Sequence, residues 1–359
     1  MVNLNKDNPL QLPSVAIVIL NWNNWKDTLE CLESLRQLNY SNYQIILVDN
    51  GSSDGSLSKI KDWCNRRIRV NSNFVEFSLK LKPLEYIEYD EKKPETGEAF
   101  GKLIIIDAKE NLGFVGGNNL AIKYALKKRY DYIWLLNNDA VADSYALIEM
   151  IKLAEKDKRI GMVCSSLFHY DKPKNMQTEG SYTFFIRLDR MFRLKKIIKS
   201  FPFGSYPVPK WACAASLLIR NECISEIGLF NEEYFFSVED IELCFRARSK
   251  KWSLLNCSSS KIWHRGILKE DPKTYLSLFG KKIRYASFER FRVQGYYEMR
   301  NTLNFYKNNY PLNFVLELIF NLGLVIKIIF LYDRKAQRIR VLFQAVKDAV
   351  MNKMGKSTY

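Results

Sequence analysis

The 359-residue chain reads as an α/β protein whose mixed, mostly parallel sheet is flanked by helices. Three observations predict this. Four short apolar runs rich in β-branched residues look like strands buried on both faces, the pattern of a parallel sheet. Segments with helical spacing separate them, so strand and helix alternate over the first 140 residues. Three of the runs break abruptly into Asn, Asp and Gly at their carboxyl ends, where open parallel sheets collect ligands.

The first strand is Val15-Ala16-Ile17-Val18-Ile19-Leu20, ending at Asn21-Trp22-Asn23-Asn24. Thr28, Leu29, Leu32, Leu35 and Leu38 then supply helical spacing. The second, Gln44-Ile45-Ile46-Leu47-Val48, runs into Asp49-Asn50-Gly51-Ser52-Ser53-Asp54-Gly55-Ser56. That stretch has turn and helix-cap chemistry and leads into a helix over about 56–63. Residues 70–100 are charge-rich and weakly patterned, and read as an insertion or surface excursion. Leu103-Ile104-Ile105-Ile106 is a third strand. The Gly-rich segment 111–119 then opens a helix through Leu126, before the strand Ile133-Trp134-Leu135-Leu136. Beyond Gly161 the elements are mixed. Loops are expected at 171–182 and 201–210, a strand over 211–219, a helix over 240–251 and a last strand over 252–264. A domain of residues 1–265 with an extension of 266–359 follows.

In that extension, residues 314–332 are nearly apolar and nearly long enough to span a bilayer. At ~100° per residue, Glu317, Asn321 and Lys327 share a polar arc roughly 120° wide. Charges at a bilayer centre are costly, so a helix lying in the membrane interface is expected. The next helix carries an apolar stripe of Ile339, Leu342, Phe343, Val346 and Val350, with Arg334, Lys335, Arg338 and Lys347 on other faces. A helical hairpin packed on the domain is the alternative.

The net charge of +16 is concentrated in 185–203, 261–309 and 313–359. Such segments suit phosphates, nucleic acid or an anionic membrane surface. No zinc finger, basic zipper or aromatic RNA-binding signature is present, so no nucleic-acid partner is expected. A hydrophobic content of 47% excludes disorder as the default. The 7 cysteines show no metal-like spacing, and residues 1–12 lack a secretory apolar core. Together these predict reduced thiols and a cytoplasmic protein held peripherally at the inner face of the membrane.

Several residues carry candidate chemistry. Asp139, with Asn137 and Asn138, offers oxygen ligands of the kind Mg²⁺ or Mn²⁺ shares with substrate phosphates; the triplet is equally turn composition. Asp49 is either a turn-forming Asp or a ligand acceptor. Gly116 and Gly117 allow close backbone approach, or are simply turn chemistry before a helix. Glu239 and Asp240 suit the first turn of a helix. Adjacent helix residues diverge by ~100°, so these two carboxylates cannot share one job.

Five segments, in order over roughly 14–265, resemble glycosyltransferase family 2, the inverting enzymes with a nucleotide-sugar-binding GT-A fold. They are Val18-Ile19-Leu20-Asn21-Trp22-Asn23, the 48–56 segment, the 111–119 segment, Leu135-Leu136-Asn137-Asn138-Asp139 and Glu239-Asp240-Ile241-Glu242-Leu243. The nearest flavour is the branch holding rhamnosyl- and galactofuranosyltransferases, which residues 345–356 also resemble. The resemblance implies transfer of a sugar from a UDP- or dTDP-linked donor to a glycan or lipid-linked acceptor in surface polysaccharide synthesis. It implies that Asp49 accepts the imide N–H of uracil or thymine, with Asn21, Asn111, Gly116, Gly117, Asn119 and Asn138 around the donor. Asn137 and Asp139 would stand at the ends of an Asp-x-Asp motif whose first carboxylate is here an amide. Asp139 and His264 would be metal ligands, and Arg300 would reach phosphate. Asp240 would be the general base that activates the acceptor hydroxyl, with Glu239 contacting the acceptor or orienting the loop. A nucleotidyltransferase would need a basic residue in an N-terminal Gly-rich loop, and residues 15–24 have none. A basic nucleic-acid-binding or scaffold protein would instead show salt-steep binding to DNA.

Overall fold

The structure, a computed structural model, describes residues 12–77, 84–90, 101–178, 212–266, 274–278, 281–285 and 287–357. Trp211, the loop at 201–210 and the basic segment 185–203 lie outside them. The N-terminal half builds β1 (Val15–Asn21), α1 (Trp25–Leu35), β2 (Tyr43–Asp49), α2 (Ser56–Cys64), β3 (Tyr86–Tyr89), β4 (Leu103–Asp107), α3 (Gly113–Lys127), β5 (Tyr132–Asn137), β6 (Ala140–Ala142) and α4 (Ala146–Ala154). There follow β7 (Ile160–His169), β8 (Lys172–Thr178), β9 (Ser216–Arg220), α5 (Asn221–Ile227), α6 (Glu239–Ser249), β10 (Ser253–His264) and a hairpin of β11 (Thr274–Leu278) and β12 (Lys281–Tyr285). The chain ends in α7 (Tyr296–Asn309), α8 (Pro311–Leu331) and α9 (Lys335–Val350).

Among the described residues the main sheet has ten strands, in the order β3-β4-β2-β1-β5-β9-β7-β10-β6, with β8 on β7. The β3-β4-β2-β1-β5 half is parallel; β9 then runs antiparallel to both β5 and β7. Alternation along each strand sends side chains to opposite faces. On one face Val15, Ile17 and Ile19 join Leu47, Ile105 and Trp134 against Leu29, Leu32, Ile60 and Met150. On the other, Ala16 and Val18 join Ile46, Ile104 and Leu135 against Val115, Ile122, Leu243 and Ala247. Each fully buried aliphatic side chain contributes about 1.5–3 kcal/mol, so both faces must be covered. The apolar runs therefore show no polar alternation.

Two expectations change. The 70–100 segment is not merely an excursion, because Tyr86–Tyr89 adds an edge strand parallel to β4. The 171–182 loop contains β8, antiparallel to β7. Neither strand is buried, so both lack the signature that marks the central ones.

The C-terminal helices form a third core around Tyr296, Tyr297, Leu303, Ile328, Val341, Leu342 and Ala345. Phe305 of α7 joins the second core of the sheet, tying the extension to the domain. In α8, Glu317, Asn321 and Ile328 are buried, whereas Leu312, Ile319, Leu322, Ile326 and Phe330 are more than half exposed. The polar arc thus turns toward the protein and the apolar face outward. In α9 the buried positions are Arg338, Val341, Leu342, Ala345, Asp348 and Ala349, whereas Phe343 and Val350 of the expected stripe face out. Arg338 does not line an outer face; it is fully buried and pairs with Asp333 at 2.7 Å.

Candidate active site

Strand register brings the polar ends together. Asn21 lies opposite Asp49, and Leu20 opposite Asn137. The Asn21 amide donates to Asp49 Oδ1 at 2.7 Å and to Ser52 Oγ at 3.1 Å. Its oxygen accepts from the Thr28 hydroxyl at 2.8 Å and from Asn138 Nδ2 at 3.4 Å. The Asp49 carboxylate also accepts the Ser52 backbone N–H at 3.1 Å and the Ser52 hydroxyl at 2.7 Å. Asp49 is therefore both a turn-former and a member of a polar network on the sheet's carboxyl edge. Asn50, the residue after it, stitches that edge to the next loop. Its amide donates to Gly113 O and Asn111 Oδ1, while its oxygen accepts the Leu112 N–H.

Antiparallel pairing of β6 with β10 sets His264 opposite Ala140, directly after Asp139. His264 Nε2 lies 3.2 Å from Asp139 Oδ1 and 3.2 Å from the Asn137 amide nitrogen. On its other side, Nδ1 lies 3.0 Å from Gln177 Oε1. With Nδ1 donating to Gln177, Nε2 would be an acceptor beside a carboxylate and an amide, three side chains that could hold a cation. Turning the Asn137 amide over would present its oxygen. Among the described residues no three His, Cys, Asp or Glu side chains converge. The donor set is thus one carboxylate, one imidazole and one amide, a partial shell of the kind that substrate phosphate oxygens complete.

Glu239 and Asp240 begin α6, both buried. Asp240 Oδ2 accepts the Ala214 N–H at 3.3 Å, while the Asn137 N–H donates to Ala215 O at 3.0 Å. The short Ala214-Ala215 segment thus joins Asp240 to the end of β5. The turn before α6 is strained: Phe235, Ser237 and Val238 have φ of +48°, +72° and +75°. Each such residue costs about 1–3 kcal/mol, most for the β-branched Val. Asn301, fully buried on α7, holds the turn by donating to the carbonyls of Tyr234, Phe236 and Ser237 at 2.8 Å each. Phe235 also stacks on Tyr297 at 5.3 Å. Gly113 is required opposite it, since a Cβ there would lie 2.4 Å from Phe235 O.

Burial, then the neighbouring Asp240 charge, raises the Glu239 carboxyl to about 8, and its Oε2 has no partner among the described residues. Its folded value lies above its unfolded one. Its contribution to stability is therefore complete below the ordinary Glu value and is lost as pH rises through about 8. Glu239→Gln should flatten that decline, stabilising the protein at pH 8 relative to wild type by on the order of a few kcal/mol. Thermal unfolding of both proteins across pH 5–9 measures this; parallel curves would show that Glu239 is not held protonated.

Other expected site residues are engaged elsewhere. The Asn119 amide donates to Phe230 O and to Glu232, and its oxygen accepts the Phe230 N–H, so it fastens α3 to the 230–232 segment. Gly116 and Gly117 lie inside α3 rather than before it. Added Cβ atoms would meet Leu112 at 2.8 Å and Leu20 at 2.4 Å, so packing requires these glycines. Asn111 Oδ1 closes its own loop on Gly113 N at 2.8 Å. Arg300 is buried and donates to Gly355 O and Lys353 O. Asn50, Gln177, Asn301 and Arg265 were not expected. Arg265 ion-pairs with Asp27 and Glu30 and donates its backbone N–H to Asp139 O at 3.0 Å.

A glycosyl transferase family 2 model matches residues 16–73 and 90–208, a span that holds the Asn21, Asp49 and Asn137–Asp139 edge. The chain belongs to glycosyltransferase family 2. Its mixed, mostly parallel α/β sheet is flanked by helices, as the sequence predicts. Glu239, Asp240 and His264 of this family 2 chain lie beyond the matched residues. It is 26% identical over 153 residues to the low-salt glycan biosynthesis hexosyltransferase Agl10 of Haloferax volcanii, covering 42% of this chain and 48% of that one. It is 31% identical over 144 residues to the rhamnosyltransferase WbbL of Escherichia coli K12, covering 37% and 53%. The match thus spans about half the length of these curated relatives. A crystal structure of TarS from S. aureus superposes with a TM-score of 0.43 at 13% identity, covering 93% of this chain and 43% of that one.

Proposed function

We propose that this protein transfers a hexosyl unit, with inversion, from a UDP- or dTDP-linked donor to a hydroxyl of a glycan or lipid-linked acceptor. One observation supports this: a hydrogen-bonded cluster of Asp49, Asn21 and Asn138 and a second cluster of Asn137, His264 and Asp139 meet at consecutive residues on one sheet edge, and Ala214-Ala215 joins the second to Asp240. In this reading Asp49 and Asn21 hold the base, and Asp139, His264 and Asn137 would hold Mg²⁺ or Mn²⁺. When bound, the cation neutralises the charge on the departing nucleoside diphosphate. Asp240 takes the proton from the acceptor hydroxyl as that oxygen attacks the anomeric carbon from the face opposite the leaving group. Burial and the neighbouring Asp240 charge favour the neutral Glu239 carboxyl, so the two adjacent groups are set apart for different roles. Release of nucleoside diphosphate across a panel of nucleotide sugars tests the assignment. UDP- or dTDP-sugars should turn over with Mn²⁺ and stop with EDTA; no turnover from any donor would overturn it.

The outward apolar face of α8 and the exposed Arg334, Lys335, Arg340 and Lys347 support attachment to an anionic membrane at the inner face of the cell membrane. The helix is 21 residues long and apolar enough, by length and composition, to cross a bilayer. Its buried Glu317 and Asn321, however, favour a helix that lies on the surface. The triple variant Ile319→Ser, Leu322→Ser, Ile326→Ser should no longer sediment with anionic phospholipid vesicles. If it pellets as wild type does, α8 is not the attachment site.

A further inference from the structure

Beyond α9, residues 351–357 return to the sheet's carboxyl edge and touch two segments that adjoin the candidate site. The Gly355 N–H donates to Glu233 O at 2.6 Å, just before the strained turn that leads to Asp240. Lys356 Nζ donates to Asn111 O at 3.1 Å, in the loop that Asn50 ties to Asp49. The Ser357 N–H donates to the Tyr297 hydroxyl at 2.8 Å. Gly355 makes the bend, with φ of +78°, a conformation a side chain would strain.

This strap has a built anchor. Arg300, only 1% exposed, donates to Gly355 O at 2.9 Å and to Lys353 O at 3.5 Å. Its guanidinium lies 5.0 Å from the Tyr297 ring and 5.4 Å from the Tyr296 ring. Lys307 and Asn304 fix the strap's start through Asn352 at 2.8 and 3.1 Å. Burying a guanidinium is costly unless its donors are used; Nη1 holds the two strap carbonyls and Nε donates to Asn301 Oδ1 at 3.0 Å, while Nη2 has no hydrogen-bond partner among the described residues. The result is an exposed lysine on a fastened segment, its ammonium resting on a neutral carbonyl. An ammonium has three donors. One is used on Asn111 O, and no carboxylate ion-pairs with Lys356 among the described residues.

We propose that Lys356 is a donor-binding residue, held by the Arg300-anchored strap so that its ammonium meets the diphosphate of the nucleotide donor. The inference rests on the donor reading above. It replaces Arg300 as the phosphate contact: Arg300 positions, Lys356 touches.

Calorimetric binding of UDP, dTDP, uridine and thymidine to the full chain tests it, using wild type, Lys356→Gln and Lys356→Arg. Loss of one charge-assisted, partly solvated contact should weaken the nucleoside diphosphate about tenfold in the Gln variant. Affinity for the nucleoside should stay within about twofold, and Arg should retain most of the diphosphate affinity. Equal diphosphate binding by wild type and the Gln variant would overturn the role of Lys356 while leaving the donor reading standing. So would an equal loss of nucleoside and diphosphate, which marks a merely structural strap. A wild-type chain that binds neither diphosphate would overturn the donor reading, and Lys356 with it.

Discussion

Asp240→Asn is expected to lower sugar transfer by about 10³-fold, within the range for removal of a general base, while leaving donor binding unchanged. The substitution keeps size and planarity but cannot accept the acceptor's proton. One effect needs separating from this. Both Asp240 oxygens accept backbone N–H groups, from Ala214 at 3.3 Å and Ile241 at 2.8 Å. An amide offers one acceptor oxygen, so one of these bonds must give way and the first turn of α6 relaxes slightly. Glu239→Gln is the control, because it alters the neighbouring buried side chain without removing the ionised group and should retain far more turnover. Rates of nucleoside diphosphate release, with donor affinity measured on the same preparations, distinguish the cases. Turnover by Asp240→Asn within tenfold of wild type would exclude Asp240 as the base.

The parallel half of the sheet is legible because its strands carry an unbroken apolar signal that stops at a polar residue. Asn21, Asp49 and Asn137 are each the last residue of a strand, so parallel register alone makes them neighbours. His264 is harder to place: 125 residues separate it from Asp139 in the sequence, and only the β6–β10 pairing joins them. The wet edge strands β3 and β8 lack a buried face and gave no comparable signal. Residues that act through backbone carbonyls escape pattern reading altogether. Asn301 reaches Tyr234 across 67 positions and Asn119 reaches Phe230 across 111, and an Asn in a helix carries no local mark of such a task. Charge misleads in the same way at Arg300, whose sequence context cannot separate a phosphate contact from a buried anchor.

Removing the Arg265 side chain is expected to be the most destabilising single change near the site. Its guanidinium ion-pairs with Asp27 at 3.3 Å and with Glu30, whose side chains are 5% and 4% exposed. Its centre also lies 3.5 Å from the Tyr170 ring. Burial works against the Arg265 charge, yet Glu30 and Asp27 outweigh it and hold its proton affinity above the ordinary guanidinium range. Arg265→Met would leave two buried carboxylates in the first turns of α1 without their cation. Breaking a buried pair from one side typically costs about 3–5 kcal/mol, and a loss of that size is expected in urea unfolding at pH 7. Replacing the whole cluster differs from breaking it. Adding Asp27→Asn and Glu30→Gln removes the stranded charges and should recover most of the loss. A single variant within about 1 kcal/mol of wild type would show that water screens the cluster, as it does surface pairs. Because the Arg265 N–H donates to Asp139 O at 3.0 Å and His264 precedes it, the same variant should also weaken Mn²⁺-dependent donor binding. That links the buried charges behind α1 to the geometry of the candidate cation site.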